Sequence, residues 1–409
     1  MEERKDRKKV FVGMSGGVDS SVTAALLKER GFDVCGVHIK MWSDESIPCQ
    51  FKEDRRDALR VAEKLGIPFE TWDLTDEYRD EVVNYMIAEY AAGRTPNPDV
   101  MCNRKIKFGV FLQRAIARGA DFIATGHYVS LNDSRANNIH ARPILSFPRK
   151  RESRLSSHVR QEGLDSRFRG NDNRGRYTLD TREGNERFSL HIASDLNKDQ
   201  SYFLWTLAQD QLKHCMFPLG GFTKPHVREL AQNFGLSTAE KPDSQGICFI
   251  GEIDLNNYLK RHIPEAPGRI VTTGGDEIGQ HDGLAFYTIG QREGLGIGGG
   301  IPYYVAKKDF KTNTLIVAKG PFDEQLFASE LTAHDAHWIS GKQPAFPLKC
   351  KARIRYRQPL QKCTISLGHL DHDLNVIFEE PQRAVTPGQS IVFYDGDEML
   401  GGALISQEW

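Results

Sequence analysis

The segment Gly13-Met14-Ser15-Gly16-Gly17-Val18-Asp19-Ser20-Ser21 decides the fold of this chain. It follows an apolar run that predicts a strand over Lys9–Met14, and it leads into a predicted helix over Ser20–Lys28. Its two glycines permit positive φ angles and close backbone approach, and its serines add hydroxyl donors. The segment therefore predicts a phosphate site, because backbone N–H groups and the positive end of a helix dipole converge on one anion-sized space.

The carboxylate of Asp19 restricts the kind of phosphate loop. No lysine follows the glycines, as it would in a Walker loop, and the dinucleotide pattern G-x-G-x-x-G is absent at this point. A carboxylate beside phosphates needs an intervening cation, which predicts Mg²⁺ near Asp19. The alternative is a serine-capped glycine turn that binds nothing. A true G-x-G-x-x-G match, Gly294–Gly299, precedes a strand-like run over Ile301–Ala306, so it is interpreted as a flexible turn.

Strands and helices alternate through the first part of the chain, which predicts an α/β fold with a doubly wound parallel sheet. The predicted elements after the first helix are a strand at Val34–Ile39, a helix at Arg55–Leu65, a strand at Phe69–Leu74, helices at Glu77–Ala92 and Ile106–Ala117, and a strand at Asp121–Ala124.

The second half of the chain changes character. Residues 201–260 are predicted to be mostly helical, and from Gly268 onward short apolar runs predict a small β-barrel or sandwich. The clearest runs are Leu315–Ala318, Cys363–Leu367, Leu374–Glu379, Ile391–Tyr394 and Ala403–Ile405.

The composition excludes several classes of protein. A chain of 409 residues with 39% hydrophobic and 27% charged residues suits two or three globular domains. Met1–Lys9 is highly charged with no apolar region behind it, and no apolar run could cross a bilayer, so neither a secretory signal nor a membrane span is expected. Seven cysteines without a C-x-x-C pair argue against a zinc ribbon or a secreted disulfide framework and favour the cytoplasm.

Residues 141–187 interrupt the pattern with 12 Lys and Arg against 7 Asp and Glu and few apolar residues. They are predicted to be a disordered insertion that resembles translated dispersed repeats of bacterial genomes and is functionally neutral. The alternative is an RNA-binding arm.

Two cysteines lie in segments that favour a catalytic role for the thiol. Thr95–Asn103 is predicted to be a loop stiffened by prolines, in which Asp99 and Cys102 share one turn. Lys105, Lys107 and a nearby helix N-terminus should lower the pKa of the Cys102 thiol. The alternative for Cys102 is a small buried hydrophobe.

Cys248, in the glycine-flanked Gly246–Gly251, is the second candidate thiol. Cys35, Cys350 and Cys363 are assigned to packing, whereas Cys49 and Cys215 have no assignment.

Several motifs together resemble one family, the bacterial tRNA-specific 2-thiouridylases of the PP-loop superfamily. The resemblance covers nearly the whole chain except residues 131–187. It rests on the PP-loop Gly13–Ser21, Asn97-Pro98-Asp99 with Cys102-Asn103, Ala124–Tyr128, Lys198–Leu204, Gly246–Gly251 and Thr386–Gln389.

The resemblance implies a PP-loop, HUP-like catalytic domain at residues 1–250, a small central domain at 251–322 and a C-terminal β-barrel that binds tRNA at 323–409. It also implies that ATP adenylates C2 of the wobble uridine of tRNAs for Lys, Glu and Gln and that sulfur then replaces the oxygen. A cysteine desulfurase or relay protein would supply the sulfur as a persulfide, and the enzyme is expected to be monomeric.

Residue roles follow from the same resemblance. Cys248 would carry the persulfide, Cys102 would be the nucleophile that ends in a disulfide with Cys248, and Asp99 would be a general acid or base. Ile39 stands where the family commonly has Met, and its backbone is expected to contact adenine. ATP would be bound by Gly13, Met14, Ser15, Gly16, Gly17, Val18, Asp19, Ser20, Ile39 and Gly126. The tRNA would be bound by Asn97, Pro98, Asp99, His127, Lys198, Asp199, Gln200, Arg355, Tyr356 and Gln389.

The run Lys349-Cys-Lys351-Ala-Arg353-Ile-Arg355-Tyr-Arg357 alternates cations with other residues. On a strand this alternation predicts five positive charges on one face, which suits a phosphate backbone. The alternative is an ordinary solvated strand face.

Two other functions remain open from the sequence. A PP-loop ligase in which nitrogen attacks the adenylated carbonyl would need no paired cysteines. A catalytically inactive RNA-binding protein would release no pyrophosphate from ATP.

Overall fold

A computed structural model of the chain describes residues 7–43, 51–133, 187–243, 255–298, 300–368 and 373–406. Predictions for residues 141–186 of the basic insertion, for Cys49 and for Cys248 lie outside this part of the chain.

A parallel sheet of five strands forms the centre of the N-terminal domain. The first seven strands along the chain are β1 (Lys9–Gly13), β2 (Asp33–Lys40), β3 (Phe69–Asp73), β4 (Phe122–Ala124), β5 (Ser130–Asp133), β6 (Phe188–His191) and β7 (Cys215–Met216). The sheet has the order β3-β2-β1-β4-β7, and all its pairings are parallel. The predicted strands of this part are confirmed, and the short β7 within the predicted helical stretch is a strand that the sequence analysis missed.

Nine α-helices lie in the described residues. They are α1 (Val18–Glu29), α2 (Phe51–Leu65), α3 (Thr75–Tyr78), α4 (Asn84–Ala91), α5 (Pro98–Met101), α6 (Phe111–Ala117), α7 (Gln209–Leu212), α8 (Lys224–Asn233) and α9 (Leu255–Lys260). Of these, α1, α2, α6 and α7 contact strands of this sheet. A π-helical turn, Arg79–Val83, joins α3 to α4, and a second π-helical stretch, Cys102–Val110, joins α5 to α6. Within the described residues, no helix combines the length and apolar character needed to span a membrane.

The structure corrects the prediction that Thr95–Asn103 is a loop ahead of a helix starting near Ile106. The helix already begins at Pro98, where proline costs no intrahelical hydrogen bond because the first N–H groups have no partner in any helix. Asn97 caps it, since its side-chain oxygen accepts a hydrogen bond of 3.3 Å from the Val100 amide. Asp99 and Cys102 therefore lie on a continuous helix rather than in a loop.

The C-terminal half is β-structure, as predicted. A four-stranded sheet of order β10-β11-β8-β9 is followed by a ring in which β12 pairs with both β15 and β17, which closes a barrel in the order β12-β15-β14-β13-β16-β17. The strands are β8 (Gly268–Thr272), β9 (Glu277–His281), β10 (Tyr303–Asp309), β11 (Thr314–Lys319), β12 (Phe327–Trp338), β13 (Leu348–Arg353), β14 (Gln361–Leu367), β15 (Leu374–Arg383), β16 (Ser390–Asp395) and β17 (Glu398–Ile405). The turn at Gly294–Gly298 leads into β10 and not into a helix.

The prediction of five cations on one strand face is wrong. β13 ends at Arg353, and the chain then turns through residues 354–357, with Arg357 at a φ of 62°. Lys349 and Lys351 are exposed as predicted, but Arg353 is buried. Its guanidinium lies 3.2 Å from the buried Asp199 carboxylate and 4.8 Å from the centroid of the Tyr394 ring. This ion pair joins the N-terminal domain to the barrel.

We predict that Arg353→Met lowers the free energy of unfolding by about 3 to 5 kcal/mol, because the buried Asp199 carboxylate loses its ion-pair partner. Urea denaturation of the purified protein measures the change. Lys362→Met is the matched control, since Lys362 and Glu379 form an exposed pair whose loss should cost under about 1 kcal/mol. Equal losses for the two variants would contradict the prediction.

Candidate active site

The phosphate loop lies at the edge of the sheet where the parallel strands end. β1 runs directly into the loop, and its last residue, Gly13, pairs with Val37 of β2. His38 donates a hydrogen bond of 2.7 Å from Nδ1 to the carbonyl of Met14, which fixes the start of the loop. Ile39 follows on β2, buried and paired with Trp72. In open α/β sheets this edge is where ligands bind.

The loop is held by its own serines. The Ser15 amide donates to the Ser20 hydroxyl at 3.1 Å, and the two hydroxyls lie 3.2 Å apart. The hydroxyls of Ser20 and Ser21 both donate to the Gly17 carbonyl, at 3.2 and 2.8 Å. These bonds leave the loop folded around the N-terminus of α1, as the phosphate-site interpretation requires.

Two glycines of the predicted site are required by close contacts. Gly16 has a φ of 82°, and a Cβ there would lie 2.3 Å from the Asp54 carbonyl oxygen. Gly126, just beyond β4, packs so closely on α1 that a Cβ would lie 2.9 Å from the Ser20 amide nitrogen. Gly126 therefore borders the phosphate loop, as expected for an ATP contact.

One lysine, far along the chain, connects the acidic groups of the site. Lys224, the first residue of α8, lies 2.7 and 2.8 Å from the two Asp19 carboxylate oxygens and 2.7 Å from Asp243. The Tyr128 hydroxyl donates to Asp19 at 2.8 Å. Lys224, Tyr128 and Asp243 were missed as site residues, because no periodicity or spacing relates them to Asp19 in the sequence.

Asp243 immediately precedes residues 244–254, which lie outside the described part. Besides Lys224, it contacts Lys198 at 2.5 Å and Arg228 at 3.0 Å. Burial alone would raise the pKa of Asp243, but the hydrogen bonds from the two lysines lower it below its usual value. The neighbouring Lys241 bridges Asp54 and Asp57, at 2.8 and 2.6 Å. Both sides of Pro242 are thus tied by ion pairs to groups beside the phosphate loop.

The donor set suits Mg²⁺ bound together with phosphates. Mg²⁺ in nucleotide sites commonly takes one or two carboxylates plus phosphate oxygens. Asp19 and Asp243 both reach the same Lys224 ammonium, so two carboxylates face one cationic position at the loop.

The helix that begins at Pro98 presents the predicted catalytic pair. Cys102 is fully buried, and its amide hydrogen-bonds to the Asp99 carbonyl one turn earlier. Burial raises the pKa of the Cys102 thiol to about 11, since Lys107 only partly opposes the loss of solvent and Asp99 adds to the rise. Lys105 pairs with Glu81 instead, at 2.9 Å. The predicted lowering of this pKa is therefore wrong.

Short contacts connect this helix with the phosphate loop. Tyr128, which bonds Asp19, also pairs its amide with the Gln200 side chain at 3.0 Å. Three residues later, the Phe203 carbonyl accepts a bond of 3.2 Å from Asn103, the neighbour of Cys102. Three hydrogen bonds and the segment Gln200–Phe203 thus connect Asp19 with the neighbour of Cys102.

The predicted tRNA contacts in the N-terminal domain differ in accessibility. His127 is buried beside Thr125, and burial followed by the charge of Lys107 keeps its pKa well below the usual value, so its imidazole is neutral. Asp199 is buried in its pair with Arg353. Lys198 is partly exposed.

The barrel residues that are predicted to bind tRNA have partners within the protein, several of which are backbone carbonyls. Arg355 donates to the Ala384 carbonyl at 2.7 Å, and burial lowers the pKa of its guanidinium. Tyr356 packs against Phe203 with ring centroids 4.6 Å apart. Gln389 donates from Nε2 to the carbonyls of Thr95 and Pro96, at 2.8 and 3.0 Å.

Comparison with known proteins assigns each region to a family of domains. Profiles described as tRNA methyl transferase HUP domain match residues 8–166 and 153–252. The profile described as tRNA methyl transferase PRC-barrel domain matches residues 256–319, and the one described as Aminomethyltransferase beta-barrel domain matches residues 328–405. These matches confirm the predicted fold class, whereas the domain boundaries given above stay predictions.

Two curated relatives carry the name tRNA-specific 2-thiouridylase MnmA, one from Streptococcus mutans serotype c and one from Streptococcus sanguinis strain SK36. Each is 44% identical over 408 residues, covering 98% of this chain and 96% of the relative. The chain belongs to the tRNA-specific 2-thiouridylase family. The predicted family and enzyme class are therefore confirmed. Among solved structures, a 4-thiouridine synthetase in complex with RNA and bound ATP has a TM-score of 0.34 at 16% identity, over 63% of this chain and 50% of that one.

For Cys102, the burial predicts slow alkylation by iodoacetamide that keeps increasing with pH beyond pH 9, because its thiol pKa is raised to about 11. Mass-spectrometric peptide mapping over a pH series measures the rate at this residue alone. The same residue in the denatured chain is the control and should level off near an ordinary thiol pKa of roughly 8.5. Half-maximal reactivity of folded Cys102 below pH 9 would contradict the structure.

Proposed function

We propose that this thiouridylase replaces the C2 oxygen of the wobble uridine by sulfur in tRNAs for Lys, Glu and Gln, at the expense of ATP. The observation that carries the proposal is the convergence of the phosphate loop, through Tyr128 and Gln200, with the helix that bears Asp99 and Cys102. These hydrogen bonds connect the proposed activation site with the helix that bears the proposed thiol site, which supports a function that uses both.

Activation is needed because the C2 carbonyl of uridine is urea-like and a poor electrophile. Attack of its oxygen on the α-phosphorus of ATP breaks the α–β bridge, releases pyrophosphate and makes AMP the leaving group at C2. The backbone amides of Gly13–Ser20 and the N-terminus of α1 would hold the pyrophosphate, which carries the negative charge released in this step. Gly126 and the backbone of Ile39 would border the nucleotide.

Asp19 would hold Mg²⁺, with Asp243 as the second carboxylate within reach of the same position. The cation would supply charge neutralisation for the phosphates. With Mg²⁺ on Asp19, Lys224 would release that carboxylate and would neutralise phosphate charge instead.

Sulfur delivery is assigned to the two thiols. A persulfide on Cys248 would provide the sulfur by one of two routes. In the first, its terminal sulfur would attack C2, and Cys102 would then attack Sγ of Cys248, which breaks the S–S bond and frees the 2-thiouridine. In the second, Cys102 would attack Sγ of Cys248 first, and the sulfide released by that attack would attack C2. In both routes AMP leaves from C2 and a Cys102–Cys248 disulfide remains, so the enzyme needs reduction before the next turnover. Asp99, one turn before Cys102, would donate or accept the proton at the target base.

Substrate and partners complete the proposal. Asn97, Pro98, Asp99, His127, Lys198, Asp199, Gln200, Arg355 and Tyr356 are proposed to bind or orient the tRNA, and Gln389 is proposed to contribute indirectly, through the Thr95 and Pro96 carbonyls that it binds. A cysteine desulfurase or a relay protein would donate the persulfide sulfur. The enzyme is proposed to act as a monomer in the cytoplasm.

Nucleoside mass spectrometry of tRNA tests the function. Cells that lack the protein should lose 2-thiouridine derivatives at the wobble position, and the wild-type chain should restore them. Cys102→Ser and Cys248→Ser should fail to restore them, because neither variant can complete the exchange of sulfur. Normal thiolation without the protein would overturn the function, and thiolation by both serine variants would overturn the roles proposed for the two thiols.

Lys224→Met should weaken ATP binding by roughly 10- to 100-fold, because loss of a charged hydrogen bond leaves two carboxylates facing the phosphates. Isothermal titration with ATP and Mg²⁺ measures the dissociation constant. Lys213→Met is the control, since Lys213 forms an exposed pair with Asp210. An unchanged ATP affinity in a folded Lys224→Met variant would refute this role.

A further inference from the structure

Residues 386–389, between β15 and β16 of the barrel, contact the segment just before the helix that begins at Pro98 and carries Asp99 and Cys102. The Thr95 amide donates to the Pro387 carbonyl at 2.9 Å. In return, the Gln389 side chain donates both of its amide hydrogens, to the carbonyls of Thr95 and Pro96. Three hydrogen bonds thus fix the three successive peptide groups that lead from Arg94 to Asn97.

Packing makes this contact tight. Gly388 has a φ of 88°, and a Cβ there would lie 3.0 Å from both the Arg94 Cβ and the Thr95 carbonyl oxygen. The Thr95 hydroxyl lies 3.1 Å from the hydroxyl of Thr288, so the central domain holds the same residue from another side. A side chain at position 388 would push the two segments apart.

A second connection reaches the cap itself. The Tyr202 hydroxyl donates to the Ser390 carbonyl at 2.9 Å, in the first residue of β16. Burial raises the pKa of this hydroxyl, and the neighbouring Asn97 side chain partly offsets that rise. Tyr202 is completely buried, so this bond is made away from water. Asn97 caps the helix that carries Asp99 and Cys102, which lie two and five residues further on.

We propose that Pro387–Gln389 and Tyr202 form a clamp by which the barrel sets the position of Asp99 and Cys102. Gln389 is then a positioning residue, because its side-chain donors are used on Thr95 and Pro96 and not on tRNA. The inference rests on the proposed function of Asp99 and Cys102. It extends the role of the barrel from holding the substrate to aligning the chemical groups of another domain.

The test compares Gln389→Met, which keeps the length of the side chain and removes its donors, with Gln361→Met in β14 as the control. Within the described residues, the Gln361 side chain donates to the nearby Pro359 carbonyl and to no other group. At saturating tRNA and ATP, Gln389→Met should lower the single-turnover rate of 2-thiouridine formation by roughly 10- to 100-fold, the cost of a small misplacement of reacting groups. Its dissociation constant for tRNA, from filter binding, should stay within about twofold of wild type.

A direct tRNA contact predicts the reverse, a weaker tRNA affinity with a normal rate at saturation, and that outcome would overturn the clamp. Tyr202→Phe is a second, isosteric variant and should show the same loss of rate at unchanged affinity. An unaffected rate in both variants would also overturn the proposal.

Hydrogen exchange separates this inference from the proposed function, since it needs no activity. In Gln389→Met the amides of residues 100–103 should exchange roughly tenfold faster than in wild type, whereas Gln361→Met should leave them unchanged. If the amides exchange faster in Gln389→Met but the wild-type protein forms no 2-thiouridine, the proposed function is wrong and the clamp is supported. Unchanged exchange would count against the clamp alone.

Discussion

The site depends on one steric constraint, the close approach of the turn after β4 to the start of α1. Because Gly126 has no side chain, its backbone comes within contact distance of Asp19 and Ser20. This approach brings the end of the central strands, the first turn of α1 and Tyr128 to one edge of the sheet. The geometry of the phosphate loop is thus set by its neighbours as well as by its own glycines, and the same approach directs the Tyr128 hydroxyl to Asp19.

That arrangement concentrates negative charge, which the protein neutralises internally. Asp19 and Asp243 share the Lys224 ammonium, and Asp243 also contacts Lys198 and Arg228. Three cations around one partly buried carboxylate leave positive charge available for an anionic ligand. Binding of ATP would therefore exchange one set of ion pairs for another and would not place phosphates beside bare carboxylates. Desolvated charges remain paired throughout, which keeps the electrostatic cost of each step small.

The sequence correctly predicted features that depend on residues close together in the chain. Its predictions failed where burial of a side chain or a contact with a distant residue determines the charge or accessibility of a group. The strand, glycine turn and helix around Asp19 are contiguous, so their chemistry could be predicted. Lys224 lies about two hundred residues away from Asp19, and only the fold brings them together. Lys105 and Lys107 suggested an activated Cys102, but sequence spacing does not show that the thiol is buried. The alternation of the basic strand held for Lys349 and Lys351 and failed at Arg353, whose partner Asp199 belongs to another domain.

The buried thiol also constrains the order of events. With a pKa of about 11, only on the order of one Cys102 in ten thousand is a thiolate at neutral pH. A protonated, buried thiol reacts slowly with oxidants and with stray electrophiles, because the thiolate is the reactive form. Under the proposed function, attack by Cys102 therefore requires that its surroundings change after the substrate has bound, by hydration, by proton transfer to a nearby base or by movement of the helix. The turn that Asn97 caps lies directly before Cys102, and Gln389 of the barrel binds the peptide groups ahead of that turn. A movement of the barrel would therefore reach the proposed nucleophile through these few peptide groups.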